Sequence, residues 1–198
     1  HKRLIDSFCY EEPEMCLHPQ LQYKMGKIIG RIVNSGIEVA LVTSGAIAVG
    51  VGKLGLKERP TTTAGKQAVA TVGQCELMFM YDKMFDEYGH TIGQFLITKR
   101  DVDNDESREN LVNAFEKTFE FGSIPVINEN DVVAIEEIVY GDNDNLSAIV
   151  AKLINADALL ILTDIDGLYD KNPKEDEYAR IIPVVEEITL GLYEIAGG

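Results

Sequence analysis

The feature that most constrains the fold is the alternation of short apolar, β-branched runs with segments of helical periodicity. Four runs have the length and composition of strands, and the first of them is predicted to be buried: IEVALVT (37–43), TIGQFLIT (91–98), IPVI (124–127) and ALLILT (158–163). Segments with helical length and spacing precede residue 36 and occupy about 46–54, 66–88, 106–121 and 145–155. Strands that alternate with helices in this way indicate an α/β fold with a mainly parallel central sheet.

Composition narrows the class of partner. The 198 residues are 45% hydrophobic, which is enough apolar material for a sizeable core. The net charge is −15, from 33 acidic and 18 basic residues, and this excess of acids argues against nonspecific binding to nucleic acid or to anionic membranes. No apolar run is long enough to span a bilayer, so we expect neither a membrane nor a nucleic acid as partner.

The cysteines indicate a reducing compartment. Cys9, Cys16 and Cys75 are odd in number and have no spacing typical of a disulfide framework, which predicts reduced thiols in a cytoplasmic protein. Cys75 lies in the apolar stretch VGQCELMFM, and we therefore expect a thiol packed in the core rather than a nucleophile.

Polar or glycine-rich stretches follow the predicted strands and form the candidate site. They are TSGA (43–46), NEND (128–131), GDNDN (141–145) and TDIDG (163–167). Ligands of parallel α/β sheets bind outside the carboxyl ends of the strands, where these stretches fall. Ser44 and Gly45 offer a hydroxyl and backbone N–H groups at a helix start, where an anion is stabilised, although a plain serine cap has the same sequence. Residues 142–145 are four consecutive short carboxylates and amides, which suggests the wall of a polar pocket.

Two apparent motifs do not meet their structural requirements. GVGKLG (50–55) matches the glycine pattern of dinucleotide-binding loops, but the preceding strand ends near residue 43 and residues 46–54 already have a helical pattern. DVDNDESRENLV (101–112) begins like a calcium-binding loop, but Glu106 replaces the required glycine and Val112 the required glutamate. The second stretch is more typical of an acid-rich helix N-terminus, which the helix dipole stabilises.

Taken together, five segments resemble the amino acid kinase family. They are VTSGAIAVG (42–50), AVATVGQ (68–74), GQFLIT (93–98), PVINENDVVAIEEIVYGDNDNLSA (125–148) and LLILTDIDGLYDKNP (159–173). The resemblance implies a three-layer αβα sandwich. It further implies ATP- and Mg²⁺-dependent phosphorylation of the side-chain carboxylate of L-glutamate to L-glutamyl 5-phosphate, the first step of proline biosynthesis. Feedback inhibition by proline and a homo-oligomeric assembly are further expectations from the family.

The same resemblance assigns roles to individual residues. Substrate binding falls to four of them: Ser44, Asp131, Asp142 and Asn143. The two carboxylates can accept hydrogen bonds from the α-ammonium group of an amino acid, and the amide can both donate and accept. Asp144 matches the residue that orients the catalytic lysines, and Thr163 and Asp164 match nucleotide-binding positions. We expect Asn145 to cap the helix that follows.

The two ends of the sequence depart from the family pattern. Residues 1–16 lack the lysine-bearing strand motif of the family, and the glycine-rich segment that carries a second lysine does not occur before Gly198. We therefore expect residues 17–198 to form an incomplete amino acid kinase domain that lacks the first strand and the C-terminal part. Little kinase activity is expected from these 198 residues alone. The alternatives are a kinase for acetylglutamate or aspartate, and a noncatalytic amino-acid-binding relative.

Overall fold

The computed structural model describes residues 3–8, 19–133, 143–162 and 166–195. The chain forms two compact units, residues 1–162 and 163–198. The strands are β1 (Arg3–Phe8), β2 (Glu38–Val42), β3 (Ile92–Ile97), β4 (Ile124–Glu129) and β5 (Ala158–Leu162). The helices are α1 (Pro19–Asn34), α2 (Ala46–Leu54), α3 (Thr63–Asp86), α4 (Lys99–Asp103), α5 (Asp105–Glu120), α6 (Asn143–Leu153) and α7 (Leu190–Ile195). Each predicted strand and helix within the described residues is therefore confirmed to within a few residues.

The first unit contains a five-stranded sheet in the order β3-β4-β2-β1-β5, and every pair of neighbours is parallel. The expectation that the first strand is missing is wrong. Ile5 of β1 pairs with Ala40 of β2 on one side and with Leu159 of β5 on the other. A parallel ladder is made by backbone N–H and C=O groups, so a strand forms here without the lysine-bearing motif of the family.

Helices cover both faces of the sheet and give three layers, as the sequence predicts. Alternate side chains of β2 enter different cores: Ala40 and Val42 lie on one face, whereas Val39 and Leu41 lie on the other. The first core is completed by residues of α5, α6 and the neighbouring strands, including Phe115, Phe119, Leu146, Val150 and Ile154. The second is completed by residues that include Met25 and Ile29 of α1 and Leu77, Tyr81 and Phe85 of α3.

Glycines allow α2 and α3 to approach each other closely. A Cβ atom built on Gly73 would lie 1.6 Å from the carbonyl oxygen of Ala46, and one built on Gly50 would lie 2.1 Å from that of Val69. Gly50 belongs to the α2 helix, so the GVGKLG stretch is a helix–helix contact and not a dinucleotide-binding loop. The close contact fixes the start of α2 against α3.

The acid-rich stretch after residue 100 is a helix N-terminus, as predicted. Thr98 and Asp101 form a reciprocal capping box at α4, and the Asn104 side chain accepts a hydrogen bond of 2.9 Å from the backbone N–H of Ser107 in α5. These contacts satisfy backbone donors that the start of each helix leaves without a partner.

Cys75 differs from the prediction, because its side chain is exposed. The buried positions of α3 recur every four residues from Gly73 through Leu77 and Tyr81 to Phe85. Cys75 lies two residues from this series and therefore on the far side of the helix. The apolar residues next to Cys75 in the sequence lie on more than one face of α3.

The second unit contains a short antiparallel bridge between Tyr169 and Ile181 and the helix α7. Within the turn, Lys171 donates a hydrogen bond of 2.8 Å to Asp176. This bond lowers the pKa of the Asp176 carboxyl and raises the pKa of the Lys171 ammonium group. Among the helices that the structure describes, none combines the length and the apolar character needed to cross a bilayer.

Candidate functional site

The carboxyl ends of β2 and β4 lie side by side and bring two of the predicted polar stretches together. Val42 pairs with Ile127, and the backbone N–H of Thr43 donates a hydrogen bond of 2.8 Å to the carbonyl of Ile127. The chain then continues to Ser44 on one strand and to Asn128 on the other. The TSGA and NEND stretches are therefore neighbours, as expected of parallel strands.

The turn from β2 into α2 depends on a glycine. Gly45 is the capping residue and has a left-handed backbone conformation, with φ of 92°. Among the described residues no heavy atom lies within 4 Å of a Cβ built there, so the backbone conformation and not the available space favours glycine. Because the cap is Gly45, the reading of Ser44 as a plain cap is wrong; Ser44 is half-buried and precedes the helix by two positions.

The start of α6 also differs from the prediction. The helix begins at Asn143, so Asn145 lies in its first turn and does not cap it. Asp144 is half-buried in the same turn, where the positive end of the helix dipole stabilises a carboxylate. The hydroxyl of Ser147, which is fully buried, donates a hydrogen bond of 2.6 Å to the carbonyl oxygen of Asp144. Ser147 therefore tightens the turn that carries the proposed catalytic residue.

Asn143 connects three of the predicted segments. Its Nδ2 atom donates a hydrogen bond of 2.8 Å to the carbonyl oxygen of Thr43 and a longer one of 3.4 Å to Oδ1 of Asn128. The residues concerned are 100 and 15 positions away along the chain. The start of α6 is thus held at the carboxyl ends of β2 and β4 by a single amide group.

Sequence reasoning missed four residues that complete this buried polar network. Asn128, which is only 3% exposed, lies in the NEND stretch but received no individual role. Its Nδ2 atom donates a hydrogen bond of 2.8 Å to Oε1 of Gln74 on α3. The hydroxyls of Thr43 and Tyr81, both buried, share a hydrogen bond of 2.7 Å. An asparagine at the end of an apolar strand was a visible signal, whereas the partners on α3 are recognisable only in three dimensions.

The remaining predicted residues are placed as follows. Asp131 is half-buried in the turn after β4, and this turn is tied to β3 by a hydrogen bond of 3.1 Å from Asn130 N–H to the carbonyl of Ile97. Asp142, Thr163 and Asp164 lie outside the described residues. The structure thus brings Asn143 into contact with the residue before Ser44, and it places Asp144 next along the helix.

The fold and this arrangement of loops define a class of protein. Residues 18–195 match the model of the amino acid kinase family, and the chain belongs to that family. It is similar to proteins named glutamate 5-kinase. The relative from Clostridium perfringens (strain 13 / Type A) is 50% identical over 179 residues, which cover 88% of this chain and 66% of the relative.

Two other glutamate 5-kinases show how much of the relatives the chain spans. The protein from Listeria innocua serovar 6a is 50% identical over 179 residues, covering 88% of this chain and 65% of the relative. The protein from Caldanaerobacter subterraneus subsp. tengcongensis is 48% identical over 182 residues, covering 92% of this chain and 49% of the relative. The chain therefore spans between about half and two thirds of the length of these curated relatives.

Proposed function

We propose that this protein catalyses the ATP-dependent phosphorylation of the side-chain carboxylate of L-glutamate to L-glutamyl 5-phosphate, the first step of proline biosynthesis. The observation that carries the proposal is the Asn143 amide, which joins the TSGA, NEND and DNDN segments at one edge of the sheet. The similarity to glutamate 5-kinases over most of this chain supports the same activity.

The reaction needs positioning and charge neutralisation more than proton transfer. The side-chain carboxylate of glutamate, with a pKa of about 4.3, is already ionised at neutral pH and can attack without a general base. The obstacle is the repulsion between this carboxylate and the triphosphate. ATP enters as its Mg²⁺ complex, and protein cations and backbone N–H groups lower the remaining repulsion. The start of α2, at the end of β2, contributes such N–H groups.

The proposed substrate residues are Ser44, Asp131, Asp142 and Asn143. Carboxylates next to an α-ammonium group form charge-assisted hydrogen bonds, and these favour a free amino acid over an acylated one. We assign Asp144 to the orientation of catalytic lysines, and Thr163 and Asp164 to the nucleotide. The domain boundary at residue 17, inhibition by proline and a homo-oligomeric state belong to the same proposal. The exposed thiol of Cys75 favours a cytoplasmic location.

An acceptor-specificity assay tests the function. A version of the protein completed with the two lysine-bearing segments of the family pattern is incubated with Mg·ATP and either L-glutamate, N-acetyl-L-glutamate or L-aspartate, and the acyl phosphate is trapped with hydroxylamine. We expect hydroxamate only with L-glutamate. Hydroxamate from either of the other acids would contradict the substrate assignment. Calorimetric binding of L-glutamate without turnover at any ATP concentration would instead identify a noncatalytic amino-acid-binding protein.

A further inference from the structure

The orientation of the Asn128 side chain is fixed by a backbone group. The N–H of Glu129 can only donate, and it lies 2.8 Å from Oδ1 of Asn128. Oδ1 must therefore be the oxygen, and Nδ2 must be the atom that faces Gln74 at 2.8 Å. It follows that Gln74 presents its oxygen, Oε1, to Asn128.

A second backbone group fixes Asn143. The carbonyl of Thr43 can only accept, so the atom at 2.8 Å from it is Nδ2 of Asn143. The same nitrogen lies 3.4 Å from Oδ1 of Asn128 and donates a second, longer hydrogen bond to it. Both amide hydrogens of Asn143 thus have acceptors within the protein. What the side chain retains for a ligand is the acceptor Oδ1.

Gln74 is at the far end of this chain of amides, and its own environment is unusual. Its Nε2 atom is buried, and among the described residues no group accepts a hydrogen bond from it. An apolar side chain of similar length would fill the same space without leaving a buried N–H group unsatisfied. The contribution of a glutamine here is therefore its oxygen, which accepts from the almost fully buried Asn128.

We propose that Gln74 is a positioning residue that, through Asn128, holds Asn143 in the orientation that offers only a hydrogen-bond acceptor to the substrate. An acceptor matches a protonated amine and not a carboxylate, so the amide chain selects acids that carry a free α-ammonium group. The proposal rests on the proposed function, and it narrows the role of Asn143 from a group that both donates and accepts to one that accepts only.

The experiment compares L-glutamate with glutarate, which has the same carbon chain and both carboxylates but no amine. The variant Gln74→Met keeps the length of the side chain and removes its oxygen. Gln67→Met is the matched control, because Gln67 is also half-buried on α3 and lies two helical turns away. The measurements, made on the protein completed with both lysine-bearing segments, are KM for L-glutamate and for ATP, the inhibition constant of glutarate, and the melting temperature.

We expect Gln74→Met to raise KM for L-glutamate about tenfold. KM for ATP and the inhibition constant of glutarate should change by less than about threefold in this variant. In Gln67→Met, all three constants should change by less than about threefold. Equal weakening of L-glutamate and glutarate binding, or no difference between the two methionine variants, would overturn the proposal.

If Gln74→Met does not fold, the variant Gln74→Glu provides the test, because it keeps an acceptor for Asn128. It should retain the wild-type preference for L-glutamate over glutarate, and loss of that preference would also overturn the proposal. A wild-type protein without L-glutamate-dependent turnover would contradict the proposed function and not the role of Gln74.

Discussion

Replacing Gly73 by alanine tests the close contact between α2 and α3. The new Cβ atom would lie 1.6 Å from the carbonyl oxygen of Ala46 and 2.6 Å from the backbone nitrogen of Gly50. Both neighbours are backbone atoms of α2, which cannot rotate away as a side chain can. The two helices would have to separate, and the start of α2 next to Ser44 would move with them.

Two opposing contributions determine the magnitude. Alanine stabilises a helix interior by about 1 kcal/mol relative to glycine. Overpacking typically costs about 1–3 kcal/mol, and a backbone overlap of this depth belongs at the upper end of that range. The net loss in the free energy of unfolding is therefore about 2 kcal/mol. For a chain of this size it corresponds to a fall in melting temperature of about 4–8 °C.

Gly52→Ala on α2 is the matched control. Among the described residues no heavy atom lies within 4 Å of a Cβ built on Gly52, and this glycine is exposed. The same substitution should therefore raise the free energy of unfolding by about 0.5–1 kcal/mol. Urea denaturation of both variants provides the measurement. If Gly73→Ala is as stable as Gly52→Ala, the close approach of the two helices and the reasoning from it are refuted.

Three further predictions concern the site and the second unit. In an enzyme completed with both lysine-bearing segments, Asp144→Asn should lower kcat with little change in KM for L-glutamate, because the carboxylate orients lysines whose charge acts in the transition state; a wild-type kcat would exclude that role. Tyr81→Phe and Thr43→Val should each lower the free energy of unfolding by about 1 kcal/mol, because each removes the same buried hydrogen bond between the two hydroxyls. The double variant should therefore lose little more than either single variant, and fully additive losses in urea denaturation would argue against this hydrogen bond. The hydrogen bond from Lys171 lowers the pKa of the Asp176 carboxyl, so the pairing stabilises the turn above the ordinary aspartate range and is lost as the pH falls through the lowered pKa; NMR titration of Lys171→Met should show the pKa of this carboxyl rising back toward its ordinary value.

Local sequence patterns are sufficient to predict the elements of the fold and the edge of the sheet where the site lies. Strand runs such as IEVALVT and IPVI are short, apolar and β-branched, and this local composition is enough to specify buried parallel strands. Because parallel strands all end at the same edge, the polar residues that follow them were predicted to meet there. The contact between Asn143 and the carbonyl of Thr43 is consistent with this prediction.

Sequence patterns were misleading where the outcome depends on a single helical turn or on backbone pairing. Asn145 and Ser44 have the right chemistry for caps, but α6 begins two residues before Asn145 and α2 begins two residues after Ser44. Cys75 is surrounded by apolar residues in sequence, yet lies on the far side of α3. The strand at Arg3–Phe8 has no family motif, so the sequence did not predict it. It forms nonetheless, because the hydrogen bonds of its ladder come from the backbone.

The orientation of the polar residues in the site depends on contacts between segments that are distant in the sequence. Gln74 and Asn143 are 69 positions apart along the chain (143 − 74), and no local pattern connects them. Their connection exists because α3 packs on the sheet close enough for Gln74 to reach Asn128, while α6 begins next to Thr43. An amide can present either end to a neighbour, so its role depends on partners contributed by other segments. Here the fixed partners are the N–H of Glu129, in the part of β4 that pairs with β3, and the carbonyl of Thr43, which follows the part of β2 that pairs with β4.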